Sequence, residues 1–186
     1  IGAGWQVNEH RASGVPLPEP RERVNRFAEA IEIIAGLLHE DRTTTDGQWF
    51  RATNMPNQPR PVQQPLPILV GTASPRMARI TASLADEWNT WGDPALAQER
   101  LQVLLDACGK MGRDPASLHK SVQAMIVITR DEVRAERMRS VLPAGRAIVG
   151  SGAEVLDSVG RYVELGFDEF IVPDFAFGDT EERRDE

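Results

Sequence analysis

Residues 67–84 constrain the fold of this chain more than any other segment, because a strand pattern there runs straight into a helix pattern. An apolar run, Ile68-Leu69-Val70, is followed by the small-residue turn Gly71-Thr72-Ala73-Ser74, and Pro75 then begins a helix-like stretch. A strand, a short turn and a helix form the repeating unit of parallel α/β sheets. The first amides of a helix after such a turn attract anions. We therefore expect an α/β fold with an anion-binding turn.

The alternation of strand and helix continues along the chain. Further strands are predicted at residues 85–90, 121–129 and 169–173, and residues 1–4 have the composition of a strand end. The near-continuous apolar centre of the 121–129 segment predicts burial on both of its faces. Helices are predicted at 20–39, at 75–84, at 94–109, after the N-cap residue Asp131, and between Gly152 and Gly166.

This order predicts parallel strands joined by right-handed crossovers. A closed (β/α)8 barrel takes about 250 residues, so a chain of this length would supply roughly half of one. An open doubly wound sheet of about five strands also fits the length. The residues alone leave both architectures open, and either one is a single domain.

Residues 40–65 lose the periodicity of the flanking segments. Asp46-Gly47 predicts a hairpin-like turn, and several prolines after it predict a stiff, extended connection. A loop of this length is often functional. Two interpretations stay open: a lid over the site, or a surface connection held down by Trp49 and Phe50.

The charge balance excludes some classes of partner. The chain has 21 Lys and Arg against 28 Asp and Glu, a net charge of -7, so its overall field would repel nucleic acid and anionic membranes. No apolar run approaches the roughly 20 residues of a membrane span, and no signal-peptide pattern opens the chain. We expect a cytoplasmic protein.

Few side chains suggest metal or nucleophilic chemistry. The single cysteine, Cys108, lies in an apolar helical stripe and is expected to be a packed thiol. His39 ends a predicted helix, where a structural role is favoured. His10 and His119 have no companion at metal-ligand spacing, so no metal site is expected.

Several short motifs occur in a specific order along the chain. They are Gly2-Ala3-Gly4-Trp5 with Glu9 and Gly14, the 67–72 strand and turn, Ala85-Asp86-Glu87-Trp88-Asn89, Met111-Gly112-Arg113-Asp114-Pro115 and Val149-Gly150-Ser151. In this order and spacing they resemble the bacterial luciferase-like monooxygenase family, most closely its branch that uses coenzyme F-420. The resemblance extends from Ile1 to about Asp174.

The resemblance implies the C-terminal half of a (β/α)8 TIM barrel, from the end of the fourth strand through the eighth. The domain would cover residues 1–178 with a loop or insertion at about 40–65, and residues 179–186 would form a disordered charged tail. The first half of the barrel would then precede Ile1, and this chain would be a fragment.

In such barrels the active site lies at the carboxyl ends of the strands. By resemblance, Ala3 and Gly4 would let the isoalloxazine-like ring or its ribityl chain approach the backbone. Glu9 stands where the family often has a polar group near the cofactor. A turn glycine without a ligand is the alternative interpretation of Gly4, and a wall or core aromatic is the favoured interpretation of Trp5, Trp88 and Trp91.

The resemblance also implies a cofactor-binding role for the turn after residue 70. Gly71, Thr72 and Ala73 would receive the ribityl chain and phosphate through their amides and the threonine hydroxyl. The family commonly has two glycines here, so Thr72 departs from the family pattern. Its side chain adds a hydroxyl donor but leaves less space for the cofactor to approach the backbone. Gly71 also has the alternative of a plain turn glycine. Ser151 opens another helix, where a phosphate site and a simple N-cap fit equally well.

These residues would serve an oxidoreductase that moves a hydride between coenzyme F-420 and a small organic substrate. An FMN-dependent monooxygenase is the alternative enzyme, and an inactive half barrel is the non-enzymatic one. The family's catalytic groups come largely from the first three strands, so the catalytic residues are unknown here. Open strand edges predict pairing with a second copy or with the other half of the barrel.

Overall fold

The computed structural model describes residues 1–173. The helices in this part of the chain are α1 (Val7–Ser13), α2 (Pro20–His39), α3 (Pro75–Leu84), α4 (Pro94–Met111), α5 (Glu132–Val141) and α6 (Gly152–Leu165). The strands are β1 (Thr43–Asp46), β2 (Arg51–Met55), β3 (Leu69–Gly71), β4 (Glu87–Trp91), β5 (His119–Gln123), β6 (Met125–Ile128), β7 (Ala147–Gly150) and β8 (Glu169–Ile171). A short 3-10 turn, Pro115–Ser117, precedes β5.

The central sheet is parallel and has the strand order β3-β4-β5-β8. Its register aligns Gly71 with Asn89, Asn89 with Ser121, and Ser121 with Glu169. The strand order ascends along the chain, with β6 and β7 forming a separate parallel pair, and it lacks the reversal that defines a doubly wound sheet. The sheet is therefore a partial barrel, and the alternative of an open doubly wound sheet is wrong.

The first residues extend this sheet on the β3 side. The amide of Gly71 donates to the main-chain oxygen of Ile1 at 3.0 Å, and the amino group of Ile1 donates to the main-chain oxygen of Leu69 at 2.5 Å. These two bonds place Ile1 alongside β3, but residues 1–4 form no strand of the structure, so the predicted strand end stays a prediction. The bonds also place residues 2–4 next to the turn that follows β3.

One face of the sheet is covered by helices. Trp88 and Val122 are buried there against α4 and α6, and the Trp88 ring stacks on Phe167 with a centroid distance of 5.9 Å. A second apolar cluster lies between α2, α3 and β3, where Phe27 and Ile31 pack against Val70. Both clusters follow the apolar stripes of the amphipathic helices, which bury one face each.

The predicted strand at 121–129 is wrong as a single element. The structure divides it at the buried Ala124 into β5 and β6, which belong to different sheets. β6 pairs in parallel with β7, a strand that sequence analysis missed. The predicted burial on both faces also fails for β6, whose Ile128 side chain is 61% exposed. An apolar run shows that a strand is hydrophobic, but the elements packed around the strand determine whether one or both of its faces are buried.

The predicted turn at Asp46-Gly47 is confirmed. It joins β1 and β2 into an antiparallel hairpin that packs on α2. Three consecutive amides of the turn, those of Gln48, Trp49 and Phe50, donate to the carboxylate of Glu29. The hairpin is thus fastened to the middle of α2. The lid interpretation of residues 40–65 stays a prediction.

Helix ends follow local sequence signals. Asp131 caps α5 by accepting hydrogen bonds from the amides of Val133 and Arg134, and Gly166 ends α6 in the left-handed conformation, as predicted. α1 was not predicted. His39 ends α2, where its Nε2 lies 3.1 Å from the main-chain oxygen of Leu66, which supports its structural role.

No helix within residues 1–173 is both long and apolar enough to cross a membrane. The predicted tail at 179–186, and the last residues of the predicted domain at 1–178, lie outside the described part of the chain.

Candidate functional site

The turn after β3 has open space at its first residue. A Cβ atom added to Gly71 would meet no heavy atom within 4 Å, and the residue does not need a positive φ. The fold therefore does not require glycine at this position. What the missing side chain provides is access to the backbone at the carboxyl end of a barrel strand, where active sites of this fold lie.

Some amides of this turn already donate hydrogen bonds within the chain, and others do not. Gly71 donates to Ile1, and Thr72 donates to the main-chain oxygen of Asn89 at 3.1 Å. The amides of Ala73 and Arg76 donate to no atom within residues 1–173. Of the three amides predicted to receive a phosphate, the structure thus leaves that of Ala73 available and adds the unpredicted amide of Arg76.

The two unused amides lie at the N-terminus of α3. Ser74 is the N-cap residue, and its hydroxyl accepts a hydrogen bond from the amide of Met77 at 3.4 Å. Because the helix dipole places partial positive charge at this end, an anion there is stabilised. Arg76 adds a formal positive charge, and its guanidinium donates to the Asn25 side chain on α2.

Thr72 is anchored rather than free. Its main-chain oxygen accepts from the indole Nε1 of Trp88 at 3.2 Å, and its hydroxyl oxygen lies 3.4 Å from the amide of Ser74. The hydroxyl proton remains available to a ligand, because in this contact the oxygen is the acceptor. Trp88 is 1% exposed, so it is a core residue, in agreement with the favoured interpretation of its role.

The backbone conformation at residue 4 favours glycine. Its φ is +82°, and an added Cβ would lie 3.0 Å from Nε2 of His10. Its main-chain oxygen accepts from Arg23 at 2.6 Å, which fastens the segment to α2. A structural demand for glycine therefore exists here whether or not a ligand binds. Ala3 is half-buried against the cluster beneath β3.

Residues 2–4 and the β3 turn are neighbours in space. A Cβ added to Gly2 would lie 3.8 Å from the main-chain oxygen of Gly71, which brings together the two predicted parts of the site. Glu9 is different. It is exposed on α1 and forms no hydrogen bond within residues 1–173. The binding roles of Ala3, Gly4, Glu9, Gly71, Thr72 and Ala73 all remain predictions.

A buried polar network beside Gly71 was missed by sequence reasoning. Asn89, the register partner of Gly71, donates from Nδ2 to the hydroxyl of Ser121 at 2.9 Å. Its side-chain oxygen accepts from Nε2 of Gln123 at 3.1 Å. These residues face away from the helix-covered side, since they alternate with Trp88 and Val122 along their strands. The alternation of polar and apolar residues in the two segments was the signal that could have found them.

The helix that begins after Ser151 is capped by reciprocal hydrogen bonds. The hydroxyl of Ser151 accepts from the amide of Glu154, while the Glu154 carboxylate accepts from the amide of Ser151 at 2.7 Å. The amides of Gly152 and Ala153 donate to no atom within residues 1–173, so a phosphate site at this helix start stays a prediction. The reciprocal bonds of Ser151 and Glu154 form a capping box. The N-cap interpretation of Ser151 is therefore confirmed by its contacts. Within residues 1–173, no group of three or more His, Cys, Asp or Glu side chains could hold a metal ion.

Comparison with known proteins identifies relatives of this chain. A family model described as Luciferase-like monooxygenase matches residues 1–142. The chain is 28% identical over 208 residues to an F420-dependent glucose-6-phosphate dehydrogenase of Microbacterium testaceum (strain StLB037), covering 94% of this chain and 61% of the relative. It is 29% identical over 158 residues to an FMNH(2)-dependent dimethylsulfone monooxygenase of Pseudomonas putida, covering 83% of this chain and 43% of the relative.

The fold is also found among solved structures. An F420-dependent secondary alcohol dehydrogenase in complex with an F420-acetone adduct superposes with a TM-score of 0.76 at 16% sequence identity. The match covers 92% of this chain and 62% of that chain. This likeness supports the partial barrel. The chain thus spans about three-fifths of the length of these two F420-dependent proteins.

Proposed function

The chain belongs to the luciferase-like monooxygenase family, and we propose that it holds the ribityl and phosphate end of coenzyme F-420 at the turn after β3. The activity proposed for the protein is that of an oxidoreductase that moves a hydride between F-420 and a small organic substrate. One observation carries the proposal: open space at Gly71 lies next to two unused amides, those of Ala73 and Arg76.

The residues at the turn fit a phosphate with a polyol chain attached. Unpaired amides at a helix N-terminus bind phosphate oxygens, and the absence of a side chain at Gly71 lets the chain of the cofactor lie against the backbone. Thr72 offers a hydroxyl to the ribityl group. The cofactor supplies the redox chemistry when bound, so the role of these residues is to bind it and fix its orientation.

A second candidate is an FMN-dependent monooxygenase. It is supported by the similarity to the dimethylsulfone monooxygenase of Pseudomonas putida. FMN and F-420 share the ribityl phosphate, so the turn fits both. We favour F-420 because several F420-dependent dehydrogenases are among the relatives and align with more of this chain.

A third candidate is a half barrel without catalytic activity. The chain covers 61% of the Microbacterium testaceum relative, and the catalytic residues remain unassigned. The edge strands of the sheet support pairing with a second copy, which we also propose. Sedimentation of the purified chain with and without cofactor would test this. Self-association together with cofactor binding would support an assembled site, whereas self-association without cofactor binding would support an inactive assembly.

The test is a titration of the 186-residue chain with F-420 and, separately, with FMN, followed by cofactor fluorescence. Gly71→Val is the informative variant, because the structure has room for the new side chain and valine suits a strand. We expect saturable F-420 binding in the unchanged protein and at least a tenfold weaker affinity in the variant. The variant should unfold at an unchanged temperature.

Gly160→Val is the matched control. An added Cβ at Gly160, on α6, likewise meets no heavy atom within 4 Å, and its φ is not positive. This variant should bind F-420 like the unchanged protein. Binding of FMN alone would support the monooxygenase, whereas failure to bind either cofactor would support the non-catalytic half barrel.

A further inference from the structure

A cavity of about 200 Å³ lies between the N-terminal segment, α2 and the tip of the β1–β2 hairpin. Its walls are mostly apolar and include Leu17, Phe27, Ala30 and Phe50. Concave apolar sites with a few polar groups are typical of small-molecule binding, and drug-sized ligands occupy about 300 to 1,000 Å³. The cavity therefore suits a molecule smaller than these.

Arg23 lines this cavity as a cation without a counter-ion. It forms no ion pair within residues 1–173, whereas Arg26, which also lines the cavity, is paired with Glu22 at 2.7 Å. The Nε of Arg23 is buried and has no hydrogen-bond partner in the same part of the chain. Buried polar atoms without partners are rare and cost free energy. An anion bound beside Arg23 would therefore be stabilised.

The unused edge of the Arg23 guanidinium matches a carboxylate. Nε and Nη2 point their N–H groups in the same direction, and this rigid fork can donate to both oxygens of one carboxylate. The hydrogen bond to the main-chain oxygen of Gly4 comes from Nη1, so the edge formed by Nε and Nη2 stays unused within residues 1–173. Because Nε is closed off from solvent, a carboxylate would contact Nη2 first and reach Nε through a small rotation of the side chain.

We propose that this cavity binds a small organic acid, with its carboxylate on Arg23 and its apolar body against Phe27 and Phe50. Apolar walls favour a hydrocarbon or aromatic body over an inorganic anion, because burial removes apolar surface from water. The two aromatic rings make an aromatic acid a suitable probe. The inference does not require bound F-420, since Ala3 alone among the residues predicted to bind the cofactor lines the cavity.

The cavity adjoins the turn after β3. Gly2 lines the cavity, and a Cβ added to Gly2 would lie 3.8 Å from the main-chain oxygen of Gly71. An acid bound to Arg23 would therefore lie beside the carboxyl end of a barrel strand, where active sites of this fold occur.

The experiment is a calorimetric titration of the 186-residue chain with benzoate, benzamide and acetate. Benzamide keeps the ring but has no charge, and acetate keeps the carboxylate but has no ring. Arg23→Gln removes the cation together with its bond to Gly4, so Ala30→Leu is a second test variant that fills the cavity and leaves Arg23 unchanged. The control is Arg21→Gln, which removes the same charge from an exposed residue of α2 that does not line the cavity.

We expect benzoate to bind about tenfold or more tightly than either benzamide or acetate. Hydrogen bonds to a charged group correspond to roughly a 10- to 100-fold change in dissociation constant, so Arg23→Gln should weaken benzoate binding by a factor in that range. Ala30→Leu should abolish the binding, and Arg21→Gln should leave it unchanged. Equal affinity for benzoate and benzamide, benzoate binding that survives Ala30→Leu, or no benzoate binding at millimolar concentration would each overturn the proposal. None of these results bears on F-420 binding, which the cofactor titration tests separately.

Discussion

The hydroxyl of Tyr162 donates a hydrogen bond of 2.6 Å to the main-chain oxygen of Gly92. This buried contact ties α6 to the residue that follows β4, across 70 positions of sequence. Tyr162 also stacks on Phe170 of β8, with a centroid distance of 5.0 Å. One side chain therefore connects a helix to two strands of the barrel sheet.

Tyr162→Phe should lower the free energy of unfolding by about 1 to 2 kcal/mol, because the buried oxygen of Gly92 loses its donor while the ring still fills its space. Urea denaturation followed by tryptophan fluorescence measures the change. An unchanged midpoint would show that the hydroxyl contributes nothing to stability.

Burial, reinforced by the nearby carboxylate of Asp93, raises the pKa of the Tyr162 phenol. The unfolded chain would then release this proton near pH 10 while the folded chain keeps it, so stability should fall as the pH rises above about 10. The chain contains one tyrosine, which makes tyrosinate absorbance specific for this group. Native protein should show it only at higher pH than urea-unfolded protein.

Glu29→Gln should loosen the β1–β2 hairpin without unfolding the chain. Burial acts to raise the pKa of Glu29, but the hydrogen bonds from Trp49, Phe50 and Gln48 outweigh it and lower the pKa. The stabilisation is therefore present at neutral pH and is lost as the pH falls below about 4.5.

Hydrogen exchange of the amides of residues 48–50 measures this local effect. Exchange should accelerate in Glu29→Gln and, in the unchanged protein, at acidic pH. Glu32→Gln is the control, since that exposed carboxylate on the same helix forms no hydrogen bond within residues 1–173. Equal exchange in the two variants would contradict the assigned role of Glu29.

Gly4→Ala and Gly71→Ala should differ in their effect on stability. Gly4 has a positive φ and lies close to His10, so an added methyl group should cost about 1 to 2 kcal/mol. Gly71 has open space and no positive φ, so alanine there should leave the melting temperature unchanged or slightly raised. Thermal unfolding of both variants tests the distinction. Equal destabilisation of the two variants would contradict the conclusion that the space beside Gly71 is open to a ligand.

Cys108 should be unreactive in the folded protein. Its side chain has no exposed surface, and burial raises the pKa of its thiol even though Arg113 and Lys120 act in the opposite direction. Maleimide labelling followed by mass measurement should show less than a tenth of the rate seen in urea, because only the thiolate of an accessible cysteine reacts. Rapid labelling under native conditions would contradict the packed position.

The sequence by itself determined most helices, the class of the fold and the place of the turn. Apolar spacing and caps are local, so α2 and α3 begin and end where the residues predicted, and Asp131 and Gly166 act as expected. The strand segment before Gly71 was also evident, because its apolar run and small-residue turn are contiguous.

Only the tertiary structure decided the strand order, the division of a predicted strand at Ala124 and the pairing of β6 with β7. It also decided which amides of the turn are available, since the acceptors for Gly71 and Thr72 are Ile1 and Asn89. These partners are distant in the chain. Hydrogen bonds between strands and the burial of a strand face depend on which segments become neighbours, and no local pattern of residues specifies that.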